Sequence, residues 1–76
     1  LIYPSPVTDM LYIKNMPEGN GNKNKIYIVS LNGQLLYMEE TASSEANISC
    51  SSYSTGIYLL KIVSEDKVTT RRFIKK

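Results

Sequence analysis

Apolar residues in this chain recur at every second position, and that regularity leaves few folds open to it. A period of two belongs to extended backbone, whose side chains alternate between faces, whereas a helix would repeat near 3.6. Leu11 and Ile13 alternate with Tyr12 and Lys14, and Ile26 and Ile28 alternate with Lys25 and Tyr27. Each set offers one face to a core and one to solvent, so each reads as a strand buried on one side. In Ile57-Tyr58-Leu59-Leu60-Lys61-Ile62-Val63, the side chains of Tyr58, Leu60 and Ile62 share a face, while Lys61 can carry its ammonium to water from the other. Val, Ile, Tyr and Thr are plentiful, as a pleated surface favours.

The segments between these runs read as turns. Pro17 to Asn24 is polar and glycine-rich, a mobile loop that lacks the Gly-Lys-Ser/Thr needed to grip a nucleotide. Asn32-Gly33 stands between Ile26–Leu31 and Leu35–Met38 and predicts a two-residue type I′ hairpin. Glu39 to Glu45 reads as a polar connection, Ala46 to Cys50 as a short strand and Ser51 to Thr55 as a serine-rich turn. Gly56 opens the strongest strand, and Glu65-Asp66 turns the chain back into a last strand, Lys67 to Ile74. Five or six short antiparallel strands without a helical segment favour a β-sandwich over a small barrel.

The 76 residues make one domain, 1–76, with 42% hydrophobic and 21% charged residues, an ordinary globular balance. Size scaling takes such a chain from roughly 12,500 Å² unfolded to roughly 4,700 Å² folded. At about 25 cal/mol/Å² the apolar share contributes about 110 kcal/mol, against about 115 kcal/mol of ordering entropy. The balance is near zero, so a staple, a metal or a neighbour is wanted. One cysteine and no histidine cannot supply the first two, and a neighbouring domain or partner is expected.

The lack of histidine also excludes Ser-His-Asp, Cys-His and His-rich zinc chemistry within the chain. Cys50 reads as a small buried hydrophobe rather than a reactive thiol. No catalytic residue, cofactor site or metal site is expected, and the chain reads as a non-enzyme. No apolar run approaches a membrane span, so no membrane insertion is expected. A start at Leu1 rather than Met leads us to expect a piece of a longer protein, with any export signal upstream.

Five short motifs occur in a definite order: Tyr3-Pro4-Ser5-Pro6; Asp9 with Leu11-Tyr12-Ile13; Leu31-Asn32-Gly33-Gln34-Leu35; Ser54-Thr55-Gly56-Ile57-Tyr58 with Lys61; and Arg71-Arg72-Phe73-Ile74-Lys75-Lys76. Together they resemble the C-terminal sorting domain of type IX secretion cargo, type A. Ser5, Ser30 and Gln34 stand where that family commonly has Asn, Asp and Lys. The resemblance implies a small immunoglobulin-like antiparallel β-sandwich of about six to seven strands. It also implies a signal that directs an upstream cargo domain through the outer membrane, by way of the periplasm, to the cell surface or medium. The implied partners are translocon, shuttle and sortase components, the sortase cutting near or before Leu1.

An address of this kind needs an exposed surface, and the chain end is the natural handle. Lys67 to Lys76 hold five basic and no acidic side chains, although the net charge of the chain is only +2. This patch reads as an edge strand guarded by cations, as a recognition site, or as both at once. In the second case Arg71, Arg72, Lys75 and Lys76 meet an acidic receptor while Phe73 or Ile74 inserts into an apolar pocket. Gly33 and Gly56 read as turn requirements, and Pro4 and Pro6 as an extended entry. The six tyrosines suit strands, with Tyr12 or Tyr27 available to a binding face. A carbohydrate- or protein-binding sandwich is the alternative, but it would want a row of exposed aromatics and the chain has no tryptophan. Nucleic acid is disfavoured because glutamates interleave with the basic residues. Exposed strand edges leave room for self-association.

Overall fold

Alternating side chains need a second sheet to bury one face, and the chain supplies it from its first strands and a short strand in mid-chain. The computed structural model describes residues 2–3, 6–14, 16, 23–64 and 67–76. Among the described residues there are seven strands: β1 (Ile2–Tyr3), β2 (Met10–Ile13), β3 (Asn24–Ser30), β4 (Leu35–Thr41), β5 (Ala46–Ser49), β6 (Gly56–Ser64) and β7 (Lys67–Lys75). They form a three-stranded sheet in the order β1-β2-β5 and a four-stranded sheet in the order β4-β3-β6-β7. All strand pairs are antiparallel, and the two sheets make the expected immunoglobulin-like sandwich. The pairing of β3 with β6 is non-consecutive, because β5 is delivered to the opposite sheet in between.

The buried face follows the alternation. Leu11 pairs with Ile48 and Ile13 with Ala46 in the small sheet; Ile26 pairs with Ile62, Ile28 with Leu60 and Tyr58 with Phe73 in the large one. These residues, with Val7, Met16 and Cys50, form one core. Antiparallel cross-strand partners on one face lie close enough to interlock, so each pair commits two strands to the same register.

Four sequence expectations need correction. The β3–β4 hairpin is not a two-residue type I′ turn on Asn32-Gly33. Gly33 N–H donates to the Ser30 carbonyl at 3.0 Å and Ser30 N–H to the Gln34 carbonyl at 2.9 Å, which closes a three-residue loop with Gly33 at φ +90°. Glycine is required there because a Cβ disfavours that φ. Ser30 supports the loop: its hydroxyl pairs with the Asn32 side-chain oxygen and accepts the Gln34 amide at 3.1 Å. Second, the polar connection expected from Glu39 begins later. β4 runs to Thr41, because Lys25 opposes Glu40 and Asn24 opposes Thr41, a continuing ladder with an opposite-charge pair.

Third, Asn24 is no loop residue. It opens β3 and is buried, its amide donating to the Ser43 carbonyl at 3.4 Å and its side-chain oxygen accepting the Ser64 hydroxyl at 2.6 Å. It thereby joins three segments of the chain at one end of the sandwich. Fourth, the last strand runs one residue past Ile74, to Lys75. The remainder of the predicted loop, 17–22, the Glu65-Asp66 turn and Pro4 lie outside the described residues.

Candidate recognition surface

β7 is an edge strand, so the basic patch stands where an unpaired ladder would otherwise invite a foreign strand. Its residues divide by the alternation. Phe73 is only 2% exposed and stacks on Tyr58 with ring centroids 5.6 Å apart. Tyr58 in turn packs against Tyr53 at 5.5 Å and donates its hydroxyl to the Ser54 carbonyl at 2.6 Å. Phe73 is therefore a core residue and cannot be the group that enters a receptor pocket. Ile74, on the opposite face of the strand, is exposed.

The cations do not follow the alternation, since Arg71 shares the Phe73 face and Arg72 the Ile74 face and both are exposed. Arg71, Arg72 and Lys76 are exposed, and Arg71 also donates to the Thr70 carbonyl at 3.2 Å. Lys75, expected among the exposed cations, is 7% exposed, its Nζ donating to the Lys76 carbonyl at 3.0 Å. It turns inward because it stands two residues beyond Phe73, on the same face of β7. Lys75 is a packing residue of this end of the sandwich rather than part of an open basic surface.

The segment before β2 seals this end. Val7 is fully buried and pairs with Lys75 in a parallel bridge, its N–H donating to the Ile74 carbonyl at 2.8 Å and its carbonyl accepting the Lys76 amide at 2.8 Å. Asp9 matters through its backbone, whose carbonyl takes the Cys50 amide at 2.7 Å and extends the β2–β5 pairing. Tyr3 pairs with Tyr12, Pro6 is an exposed residue leading into Val7, Thr55 lies exposed ahead of Gly56, and Lys61 is exposed on β6. Burial pushes the Cys50 thiol above its ordinary pKa, with the Lys75 ammonium pulling it part of the way back. Burial likewise raises Tyr53. A thiol held protonated and fully buried is a packing group, not a nucleophile. Among the described residues no cluster of His, Cys, Asp or Glu could hold a metal ion.

The end of β7 is bonded to Val7 and carries exposed cations on both faces of the strand. A family model described as a secretion system C-terminal sorting domain matches residues 1–76, the whole chain. The chain belongs to that family. This sorting domain is therefore a C-terminal signal of the type IX secretion system, which sends its cargo through the outer membrane to the cell surface or medium. A sorting signal of this family is not itself catalytic. The curated proteins contain no match to it. Among solved structures it is similar to PorZ, an essential bacterial surface component of the type IX secretion system of Porphyromonas gingivalis, at a TM-score of 0.78 and 20% identity. The match covers 100% of the sorting domain and 11% of the PorZ chain, so the domain spans about a tenth of that protein's length and the likeness is one of fold.

Sequence reasoning missed two features. The Val7 bridge had no signal, since a single valine after a proline resembles any loop residue. The second is the outer face of the large sheet, where Leu35, Met38, Ile57, Val68 and Ile74 are all exposed. It did have a signal, because in β6 the residues alternating with the core, Ile57, Leu59 and Val63, are apolar as well.

Proposed function

We propose that the translocon reads this domain through exposed residues of its last strand, Arg71, Arg72 and Ile74, and through Lys76 just beyond it. The observation that carries the reading is the division of β7. Its backbone and Phe73 are locked into the sandwich, while three cations and one apolar side chain face solvent at the end of the chain. A signal that must be recognised on many cargoes gains from being rigid, since no ordering entropy is then lost on binding. The domain reaches the translocon from the periplasm, and a sortase then separates it from the upstream cargo near or before Leu1 and attaches the cargo to the surface.

The test fuses residues 1–76 behind a reporter with an N-terminal signal peptide, in a bacterium that has a type IX system. Deleting Phe73 to Lys76 would confuse recognition with folding, because Phe73 is core. The informative variant is Arg71→Glu with Arg72→Glu and Lys76→Glu. Export of the parent fusion and periplasmic retention of the variant, with unchanged thermal unfolding, is the expected result. Equal export of both would remove the proposed role of β7.

A further inference from the structure

A sandwich in water should present polar outer faces, and the large sheet does not. Register and alternation put four rows on its outer side: Ile57 and Ile74; Leu35, Val29, Leu59 and Arg72; Met38, Tyr27, Lys61 and Thr70; and Glu40, Lys25, Val63 and Val68. Val68 is 60% exposed, Met38 57%, Leu35 53%, Ile74 47% and Ile57 39%. We infer that this outer face of the β4-β3-β6-β7 sheet is the main docking surface of the domain, and that its occupant is a protein partner presenting an apolar patch with carboxylates set within it. The inference rests on the reading that the domain is recognised during export, and it widens the recognition surface from one strand to a whole sheet face.

Charge selects the occupant. Among the described residues the face carries Lys25, Lys61 and Arg72 against Glu40, and Lys61 stands within the apolar field, flanked along β6 by Leu59 and Val63 and across the ladder by Tyr27. Stacking two copies face to face would bring cationic, apolar surfaces together, with like charges desolvated between them. A carboxylate at the matching place on a partner would instead meet Lys61. A lipid surface suits cations at a rim with apolar groups protruding, whereas this face holds Lys61 inside its apolar field.

Size agrees with a handover rather than a permanent complex. Strands about 4.8 Å apart and about 3.3 Å per residue make this face roughly 450–500 Å² in projection. That area, charged residues included, is comparable to the about 300–600 Å² of the largest patch on a typical monomer, a size at which such patches are often functional, and falls short of about 800 Å² a side for a standard stable interface.

The same reporter fusion tests the inference. Met38→Glu with Val68→Glu alters the two most exposed apolar residues of the face without touching the core, and should lower export at least about tenfold. Asn47→Glu with Ser49→Glu, exposed positions on the outer side of the small sheet, should export like the parent. Lys61→Glu with Arg72→Glu replaces only exposed charges; it carries the test if the first pair unfolds early, and should also impair export. A parent fusion that stays in the periplasm sinks the export reading and this inference with it. A parent that is exported together with undiminished Met38→Glu/Val68→Glu and Lys61→Glu/Arg72→Glu fusions sinks the face alone. Self-association in sedimentation, or flotation with phosphatidylglycerol vesicles, would also overturn it if Met38→Glu abolished that behaviour while export persisted.

Discussion

Val7 and Lys75 lie side by side in a parallel bridge, with the Val7 N–H on the Ile74 carbonyl and the Lys76 amide on the Val7 carbonyl, both at 2.8 Å. The segment leading into β2 thus holds the end of β7, at Ile74 and Lys76. Two backbone bonds and a fully buried valine stop an edge strand from fraying where terminal residues are normally loose.

Removing that clamp should free the terminus without unfolding the domain. In a chain lacking residues 1–9, the Lys76 amide should lose its hydrogen-exchange protection, while amides of β3, an interior strand of the large sheet, keep theirs. Equal loss in β3 would show that the clamp supports the whole fold rather than one end.

Phe73 and Ile74 are adjacent and should behave oppositely. Phe73→Ala empties a site between Tyr58 and the rest of the core and should cost about 3–5 kcal/mol in urea unfolding, enough to unfold a small domain. Ile74→Ser, on the exposed face, should stay within about 0.5 kcal/mol. Similar losses for both would contradict the assignment of one to the core and the other to the surface.

At Gly33 an added Cβ would meet nothing within 4 Å, so substitution there carries a purely conformational penalty. With φ at +90°, Gly33→Ala should cost about 1–2 kcal/mol. Gly33→Asn should cost less, because asparagine tolerates the left-handed region better. A stabilising Gly33→Ala would mean that the loop relaxes into another turn.

Alkali should weaken the domain through groups whose protonated forms the fold favours. Tyr37 is pushed from 10.0 to about 12, first by its hydrogen bond to Glu39 and then by burial, and burial raises Cys50 from 9.0. In the unfolded chain both protons leave earlier. The stability they contribute is therefore complete below about pH 9 and is lost as pH rises, for Tyr37 across the window from 10.0 to about 12. Urea midpoints should stay level up to about pH 9 and then fall, and Tyr37→Phe should flatten the upper part of the fall. An unchanged slope in Tyr37→Phe would show that the tyrosine is not responsible.

Much of this protein is legible along the chain. The alternation around Leu11, Ile26 and Leu60 is local, and local spacing is enough to say that each segment is a strand and which side it buries, because successive side chains must point to opposite faces. The ordered motifs from Tyr3 to Lys76 were likewise enough to indicate the family. Tertiary structure alone decided the rest, since the remaining features depend on pairings between residues far apart in sequence. Gly33 was visible as a turn residue, but whether its loop holds two residues or three depended on how β4 registers against β3. Phe73 and Ile74 look equally apolar in sequence, and only the pairing of β7 with β6 turned one onto Tyr58 and the other into solvent. Lys75 had to be paired with Gly56 and Val7 before a cation could be recognised as a buried residue. The apolar outer face exists only because four strands, each with ordinary exposed hydrophobes, are brought edge to edge, which adds scattered side chains into one surface.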